Sequence, residues 1–257
     1  MEEEINKFTR FINENYNTDN RLIVEKYKHT LNVVKIILSI AKSMELTNDE
    51  CMLAFYLGLF HDLGRFREVE RQNRFNNLTF DHGAYSNKIL FNDDFIKNFG
   101  IDPSDYLLIK KAIFYHNKKE LPISLSPRER FFAELLRDAD RIDIFRVCSN
   151  NATMFNRDPS LKVLNAFLNN ESVDIHDVKN KSDTIILRIN FVKLFSSYDA
   201  LKVLDELGYF KDYVSNIQVA SEYTELFNSI LKNIENYKEG VKKNVRQKIR
   251  SFNGWKR

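Results

Sequence analysis

The scarcity of glycine and proline is the feature that most constrains how this chain can fold. Only seven glycines and four prolines occur among 257 residues, which is about a third of their average usage in proteins. An all-β protein needs many tight turns, and turns favour these two residues. The sequence therefore predicts an all-α protein. A hydrophobic content of 43% excludes general disorder, because disordered chains are poor in apolar residues.

Apolar residues recur with helical spacing along most of the chain. The predicted helices cover approximately residues 3–15, 21–44, 49–62, 82–91, 104–117, 127–149, 159–169, 190–206 and 221–250. Thr47 with Glu50 forms a capping-box pattern, Pro127 opens a helix after Ser126, and Gly64 follows a helix that we expect to end at Asp62. Residues 184–191 (TIILRINF) fit either a short strand or a helix.

Neither a membrane span nor a secretion signal is apparent in the sequence. The apolar run around residues 54–60 is far shorter than the about 20 residues that a bilayer span needs. The chain begins MEEEINKF, which is acidic where a secretory signal is basic. We therefore expect a cytoplasmic protein that does not associate with membranes.

Basic residues concentrate near the C-terminal end. Residues 238–257 contain eight Lys or Arg and one acidic residue, whereas the whole chain has a net charge of only +3. Such a segment could contact nucleic acid, but cations also suit the C-terminal end of a helix. We interpret this segment first as a solvated helix end and keep nucleic acid as a secondary partner hypothesis. A homodimer is a separate partner hypothesis.

Histidine and aspartate occur inside apolar helical patterns between residues 20 and 150. His29 shares a stripe with core positions of its predicted helix, His61 and Asp62 end a hydrophobic run, and a later helix carries Asp138, Asp140 and Asp143. Buried ionisable groups are costly unless they are paired, and neighbouring carboxylates repel each other. A divalent cation removes these costs, and imidazoles and carboxylates are its usual ligands. The pattern therefore indicates a buried metal site, although the spacing is compatible with many folds.

The order of these residues resembles the HD-domain metal-dependent phosphohydrolase superfamily. The matching motifs are K-H-T at His29, FHDLGRF at His61 and Asp62, and DADRID at Asp140. The resemblance implies a helical-bundle core over residues 20–150, with a helix in 1–19 packed on it and an accessory helical region at 151–257. It implies the metal ligands His29, His61, Asp62 and Asp140. Asp138 competes for the last place, but the family ligand typically precedes a basic residue, as Asp140 precedes Arg141.

Two further histidines resemble those that some HD subgroups place between the His-Asp pair and the final Asp. His82 and His116 are expected to line the site or to bind a second ion. The chain lacks the Gly-Tyr-Pro motif of the cyclic di-guanylate phosphodiesterase branch, and it has Asn117 where that branch has a second His. These departures count against a bimetallic cyclic-dinucleotide enzyme. The resemblance leaves the metal open among Mn, Fe, Ni, Zn, Co and Mg.

The expected activity is hydrolysis of a phosphate ester or anhydride on a small molecule, with a nucleotide as the first candidate. Asp62 would ligate the metal and orient the attacking water, and His82 or His116 would protonate the leaving oxygen. Phosphate would be bound chiefly by Arg65, because guanidinium groups recognise its oxygens bidentately. The further candidates for phosphate binding are Arg67, Lys118 and Arg141. The alternatives are a cyclic-nucleotide or nucleic-acid phosphodiesterase, a di-iron oxidative enzyme and a non-catalytic HD-fold binding protein.

Overall fold

The computed structural model describes residues 1–75, 80–150 and 152–254, without the side chains of 245–254. The chain divides into two compact units, Met1–Asp143 and Ile144–Arg257. The described residues are mainly α-helical, which confirms the predicted all-α class. None of the described helices is long and apolar enough to cross a membrane.

The helices of the first unit pack around one core, which contains apolar side chains together with buried His and Asp. Its helices are α1 (Glu2–Asn15), α2 (Arg21–Ser43), α3 (Asn48–Phe60), α4 (Leu63–Gln72), α5 (His82–Asn87), α6 (Tyr106–Tyr115) and α7 (Pro127–Ser149), the last belonging to this unit up to Asp143. A π-helical turn at Lys88–Asn92 continues α5, and short 3-10 turns at Phe95–Asn98 and Pro103–Asp105 precede α6.

Helices α2 and α3 approach each other closely at Gly58. A Cβ atom at position 58 would lie 3.1 Å from Val34 Cα and 3.2 Å from Ile37 Cγ2. Only a residue without a side chain lets the two helices come this near without a shift of either. This contact holds together the two helices that carry His29 and His61.

The helix ends agree with the sequence in two places and differ in one. Thr47 and Glu50 form the predicted capping box at the start of α3, and Pro127 is the first residue of α7. The expectation for Gly64 was wrong: α3 ends at Phe60, and Gly64 lies in the first turn of α4. A Cβ at position 64 would lie 2.2 Å from the His82 carbonyl oxygen. Glycine is therefore needed here for the close approach of α5, not to end a helix.

The second unit adds shorter helices and a small parallel strand pair. Its helices are α8 (Leu161–Leu168), α9 (Lys181–Asn190), α10 (Tyr198–Leu207), α11 (Tyr209–Ser215) and α12 (Thr224–Gly254), with 3-10 turns at Ile175–Asp177, Phe191–Leu194 and Ser221–Tyr223. Strand β1 (Thr153–Phe155) pairs in parallel with β2 (Ile217–Val219). Residues 184–191, which fitted a strand or a helix, are helical because Asn180 and Asp183 form a capping box that starts α9.

Candidate metal centre

Two groups of potential ligands meet inside the first unit. The first group contains His29 from α2, His61 at the end of α3, and Asp140 from α7. His29 Nε2 lies 3.4 Å from His61 Nε2 and 3.2 Å from Asp140 Oδ1. Both imidazoles are buried, and the Asp140 side chain is 21% exposed. The group is therefore enclosed on the histidine side and reaches solvent at Asp140.

The second group contains Asp62, His82 and His116, all buried. His82 Nε2 lies 3.1 Å from His116 Nε2, and Asp62 Oδ1 lies 3.5 Å from the first and 3.7 Å from the second. The other Asp62 oxygen, Oδ2, lies 3.5 Å from His29 Nε2 and 3.6 Å from His61 Nε2. Asp62 thus directs one carboxylate oxygen toward each group.

The spacing of these atoms fits ligands arranged around metal ions. Protein nitrogen and oxygen ligands bind transition metals at about 2.0–2.2 Å, so two ligands of one ion lie roughly 3.0–3.5 Å apart. The distances among His29, His61, Asp62 and Asp140 given above fall close to this range, and His61 Nε2 to Asp140 Oδ1 is the longest at 3.9 Å. The atoms of each group in fact lie within 4.8 Å of one another. Both groups could hold a metal ion.

The outer nitrogens of three histidines are held in the way that metal ligands require. His29 Nδ1 donates to Asp143 Oδ2 at 2.6 Å, His61 Nδ1 donates to the Gly58 carbonyl at 2.8 Å, and His116 Nδ1 donates to the Ile113 carbonyl at 2.6 Å. A proton on Nδ1 leaves the Nε2 lone pair free to face the centre, which is the usual arrangement of ligating histidine. The orientation of these rings is therefore set by the fold.

The charges at the first group call for a cation. Burial and Lys26 lower the pKa of His29, but hydrogen bonds to Asp140, Asp143 and Asp62 outweigh them and raise it to about 10. Three carboxylates thus favour positive charge at this imidazole, and a metal ion at Nε2 would supply that charge in place of a proton. Burial lowers the pKa of His61 to about 4 and that of His82 well below 6.5. These two histidines are neutral at physiological pH, which is the form that binds metals.

A buried serine links the His-Asp pair to α5. Ser86 Oγ donates to the His61 carbonyl at 2.7 Å and accepts from the Gly64 backbone N–H at 2.8 Å. Because His82 begins the same short helix, this contact fixes its position relative to Asp62. The close approach at Gly64 therefore serves to bring the second group together.

The predicted phosphate-binding residues occupy different surroundings. Arg65 is buried beside Asp62, with Nε 3.9 Å from Asp62 Oδ1, and its guanidinium is held by Glu68 at 2.6 Å. Lys118 instead pairs with Asp81 at 2.5 Å, and Arg67 pairs with Glu70. A cavity of about 420 Å³ between α1, α4 and α5 is lined by Arg67. Of Arg65, Lys118 and Arg67, Arg65 is the one that contacts a member of the ligand groups, Asp62.

The two candidates for the last ligand are separated by the geometry of α7. Asp140 Oδ1 lies 3.2 Å from His29 Nε2 and 3.9 Å from His61 Nε2. Asp138 Oδ1 instead lies 3.7 Å from Arg141 Nη1, and Asp138 belongs to neither ligand group. Arg141, another predicted phosphate-binding residue, is thus engaged with Asp138. These placements support Asp140 as the ligand.

Sequence reasoning missed the roles of three residues around the clusters. Lys26 Nζ lies 2.7 Å from Asp62 Oδ2, Asp143 accepts the His29 hydrogen bond, and Asn117 places its amide nitrogen 3.2 Å from His82 Nδ1. The spacing of Lys26 and Asp143 was a usable signal: Lys26 precedes His29 by three residues, and Asp143 follows Asp140 by three. Such spacing puts both on the helix face of a ligand.

Comparisons with known proteins point to the same part of the chain. Residues 27–145 match the HD domain family, a range that includes every member of both groups. A relative from Vibrio cholerae serotype O1, the "3'3'-cGAMP-specific phosphodiesterase 1", is 31% identical over 130 residues. The match covers 48% of this chain, and the chain spans only 28% of the relative's length. No solved structure matches the chain.

Proposed function

We propose that the protein, whose residues 27–145 match the HD domain family, is a metal-dependent phosphohydrolase acting on a nucleotide. The observation that carries the proposal is the position of Asp62 between two buried groups, with one oxygen directed to each. A buried ion pair with a purely structural role would not need two groups of potential metal ligands around one carboxylate. The similarity to a cyclic-dinucleotide phosphodiesterase supports a nucleotide substrate.

We assign the first ion to His29, His61, Asp62 and Asp140, and a second ion to Asp62, His82 and His116. The four side chains of the first site leave coordination positions for water and substrate, as in catalytic rather than structural metal sites. Divalent ions in such a site activate water and polarise a phosphoryl oxygen. The donor set of imidazoles and carboxylates suits Mn, Fe, Ni, Zn or Co, and suits Mg less well.

The geometry favours His82 and His116 as ligands over proton donors. Their Nε2 atoms converge on Asp62 Oδ1, and burial lowers the pKa of His82 well below 6.5. A histidine that is neutral at pH 7 is a weak general acid. The structure therefore supports the use of these residues in a second metal site.

Arg65 is the residue best placed to bind the phosphoryl group. Its guanidinium lies next to Asp62 and is oriented by fully buried Glu68. A buried, oriented guanidinium stabilises negative charge on phosphate oxygens at little cost in side-chain order. Arg67, Lys118 and Arg141 stay weaker candidates because each is paired with an acidic residue that belongs to neither ligand group.

Hydrolysis of a cyclic dinucleotide is the second candidate function. It is favoured by the relative from Vibrio cholerae and by the second ligand group. Asn117, in place of a second histidine, argues against it. The two functions differ in their products. A phosphomonoesterase releases inorganic phosphate, whereas a phosphodiesterase opens the ring of the cyclic dinucleotide and leaves both phosphates attached.

A substrate panel with metal-loaded protein tests the proposal. Protein loaded with Mn²⁺, Fe²⁺, Ni²⁺, Zn²⁺, Co²⁺ or Mg²⁺ is incubated with nucleoside mono-, di- and triphosphates, cyclic mononucleotides and 3'3'-cGAMP. Phosphate release and chromatography of the products identify the reaction. We expect turnover that is lost in His61→Ala and Asp62→Ala.

The matched control is His176→Ala. His176 is an exposed histidine in the second unit, so its replacement should leave turnover unchanged. Equal activity of all three variants and the wild type would refute the catalytic assignment. Metal counting should give two ions per chain for the wild type and one for His82→Ala.

The remaining partner hypotheses need separate experiments. Of the basic residues in 238–257, Lys238 is paired with Asp205 at 2.6 Å, and the side chains from residue 245 onward lie outside the described residues. Salt-dependent RNA or DNA binding would support a nucleic-acid partner. Sedimentation at two protein concentrations would test the homodimer hypothesis.

A further inference from the structure

Besides Asp140, at which the first group reaches solvent, a second part of the surface lets a substrate reach the buried groups. The side chains of His29, His61 and Asp62 are at most 4% exposed. Lys26 is 18% exposed and Phe75 is 37% exposed. Lys26 contacts Asp62 directly, so this part of the described surface leads from solvent to the shared carboxylate. A phosphorylated compound that reaches Asp62 by this route passes Phe75 and Lys26.

The two cations that contact Asp62 lie over the ring of Phe75. Lys26 Nζ is 5.2 Å from the centre of the Phe75 ring, and Arg65 Cζ is 5.7 Å from the same point. Lys26 contacts Asp62 Oδ2 and Arg65 lies near Asp62 Oδ1. An exposed aromatic ring, two cations and a buried carboxylate therefore follow one another from the surface inward.

This order matches the chemistry of a nucleotide. The two cations suit its phosphate, and a partly exposed aromatic ring suits its base, because every base offers a flat π-face for stacking. In a nucleotide the ribose separates base and phosphate by only a few ångströms, which is comparable to the separation of the Phe75 ring from the two cations. A compound with phosphate but no base would leave the ring unused.

We propose that Phe75 is a base-stacking residue and that Lys26 binds the phosphate together with Arg65. This inference rests on the proposed function and specifies its substrate as a nucleotide recognised through its base. Lys26 would exchange its contact with Asp62 for one with a phosphate oxygen. Stacking on Phe75 contributes to binding and not to the chemical step, so it should affect KM and leave kcat unchanged.

The test compares two phosphate monoesters that differ in the base. Adenosine 5'-monophosphate carries a base, and ribose 5-phosphate carries the same phosphate on the same sugar without one. We expect Phe75→Leu to raise KM for the nucleotide by about 10-fold or more, within the range known for loss of one base–aromatic stack. Its KM for ribose 5-phosphate should not change, and Phe75→Trp should restore nucleotide binding. Lys26→Met should raise KM for both compounds.

Phe114→Leu is the matched control. Like Phe75, Phe114 is a phenylalanine of the first unit with a cation near its ring, Lys118 at 5.1 Å, but Phe114 is half-buried where Phe75 is exposed. Its replacement should change neither KM. The proposal is overturned if Phe75→Leu raises both KM values equally, which would indicate a structural role, or raises neither.

Equilibrium binding separates this inference from the proposed function. If the wild type hydrolyses neither compound, calorimetric titration of Mn²⁺-loaded protein with adenosine 5'-monophosphate and ribose 5-phosphate replaces KM. Weaker nucleotide binding in Phe75→Leu, with ribose 5-phosphate binding unchanged, would then support the base-stacking role although the hydrolytic function had failed. Equal binding by the wild type and Phe75→Leu, or no nucleotide binding at all, would overturn it.

Discussion

Replacing Gly64 with alanine should damage the second ligand group while sparing the first. The new Cβ would lie 2.2 Å from the His82 carbonyl oxygen, 2.8 Å from Tyr85 Cβ and 2.9 Å from the Ser86 nitrogen. Two of these atoms are backbone, so no side-chain rotation relieves the clash. Cβ atoms rarely approach another atom within 3.0 Å and are ordinarily beyond 3.4 Å, so α5 must retreat by about 1 Å.

Both stability and metal content should respond to that shift. Overpacking of this kind costs about 1–3 kcal/mol, and the hydrogen bond from the Gly64 N–H to Ser86 contributes about 1 kcal/mol more. We expect Gly64→Ala to lower the free energy of unfolding by about 2–4 kcal/mol. Because His82 begins α5, its Nε2 should also leave the 3.5 Å contact with Asp62.

Urea unfolding and metal counting measure these two effects. Gly100→Ala is the matched control, since a Cβ at position 100 would meet nothing within 4 Å. We expect Gly64→Ala to retain the first ion, bound through His29, His61, Asp62 and Asp140, and to lose the second. If Gly64→Ala unfolded at the same urea concentration as Gly100→Ala and kept two ions, the argued link between this glycine and the second site would be wrong.

Three other predictions concern the metal, its supporting residues and the second unit. Asp143→Asn should weaken metal binding about 10- to 100-fold, because it removes the charge that orients His29; Asp138→Asn should do so much less, and competition with a chromophoric chelator measures both. Chelation of the metal-loaded protein should lower its unfolding temperature, and unchanged melting would count against a bound ion. In the second unit, burial raises the pKa of Asp183, but hydrogen bonds from Lys179, Ser160 and Asn180 outweigh it and lower that pKa. Asp183→Ala should therefore cost about 2 kcal/mol at pH 7. Because the folded-state pKa is lowered, the wild type should keep this stabilisation above pH 3.8 and lose its charge-dependent part as the pH falls through the lowered pKa of Asp183. Urea unfolding of the wild type and Asp183→Ala, followed from pH 7 to well below pH 3.8, compares the two.

The candidate ligands could be found from the sequence because each is a local anomaly. His29, His61, Asp62 and Asp140 interrupt apolar helical patterns, and a buried ionisable group in such a pattern demands a partner. The structure brings these four side chains together. Asp138 and Asp140 point about 200° apart around their helix, so only one of them can face the histidines. Sequence spacing alone did not show which, because it does not fix the side of the helix that faces them.

The sequence indicates the residues that surround the ligands only in part. Lys26 and Lys28 lie on the same helix two residues apart, yet Lys26 contacts Asp62 and Lys28 is exposed. Phe75 could not be distinguished from the many other aromatic residues, because its role depends on two cations from other parts of the chain.

The strand pair and α4 show two further limits of predicting structure from the sequence. Strand β1 spans three residues and pairs with a segment more than 60 positions away, so neither strand has a local pattern that predicts it. Helix α4 has the sequence LGRFREVERQ, which contains too few large apolar residues to show helical periodicity clearly. Helix–strand choices for such short segments are settled by tertiary contacts.

The break between α3 and α4 explains why one histidine and the next aspartate can serve the same centre. Consecutive residues inside an α-helix point about 100° apart, which would turn one of the two side chains away. Here α3 ends at Phe60, and Asp62 has φ −107° and ψ 17° before α4 begins, close to the sparsely allowed bridge region in which active-site residues are frequent. The departure from helical geometry lets His61 Nε2 and Asp62 Oδ2 approach within 3.6 Å while Asp62 Oδ1 faces His82 and His116. The backbone at this one position therefore joins the two ligand groups, and a change that restored a continuous helix through residues 60–63 would separate them.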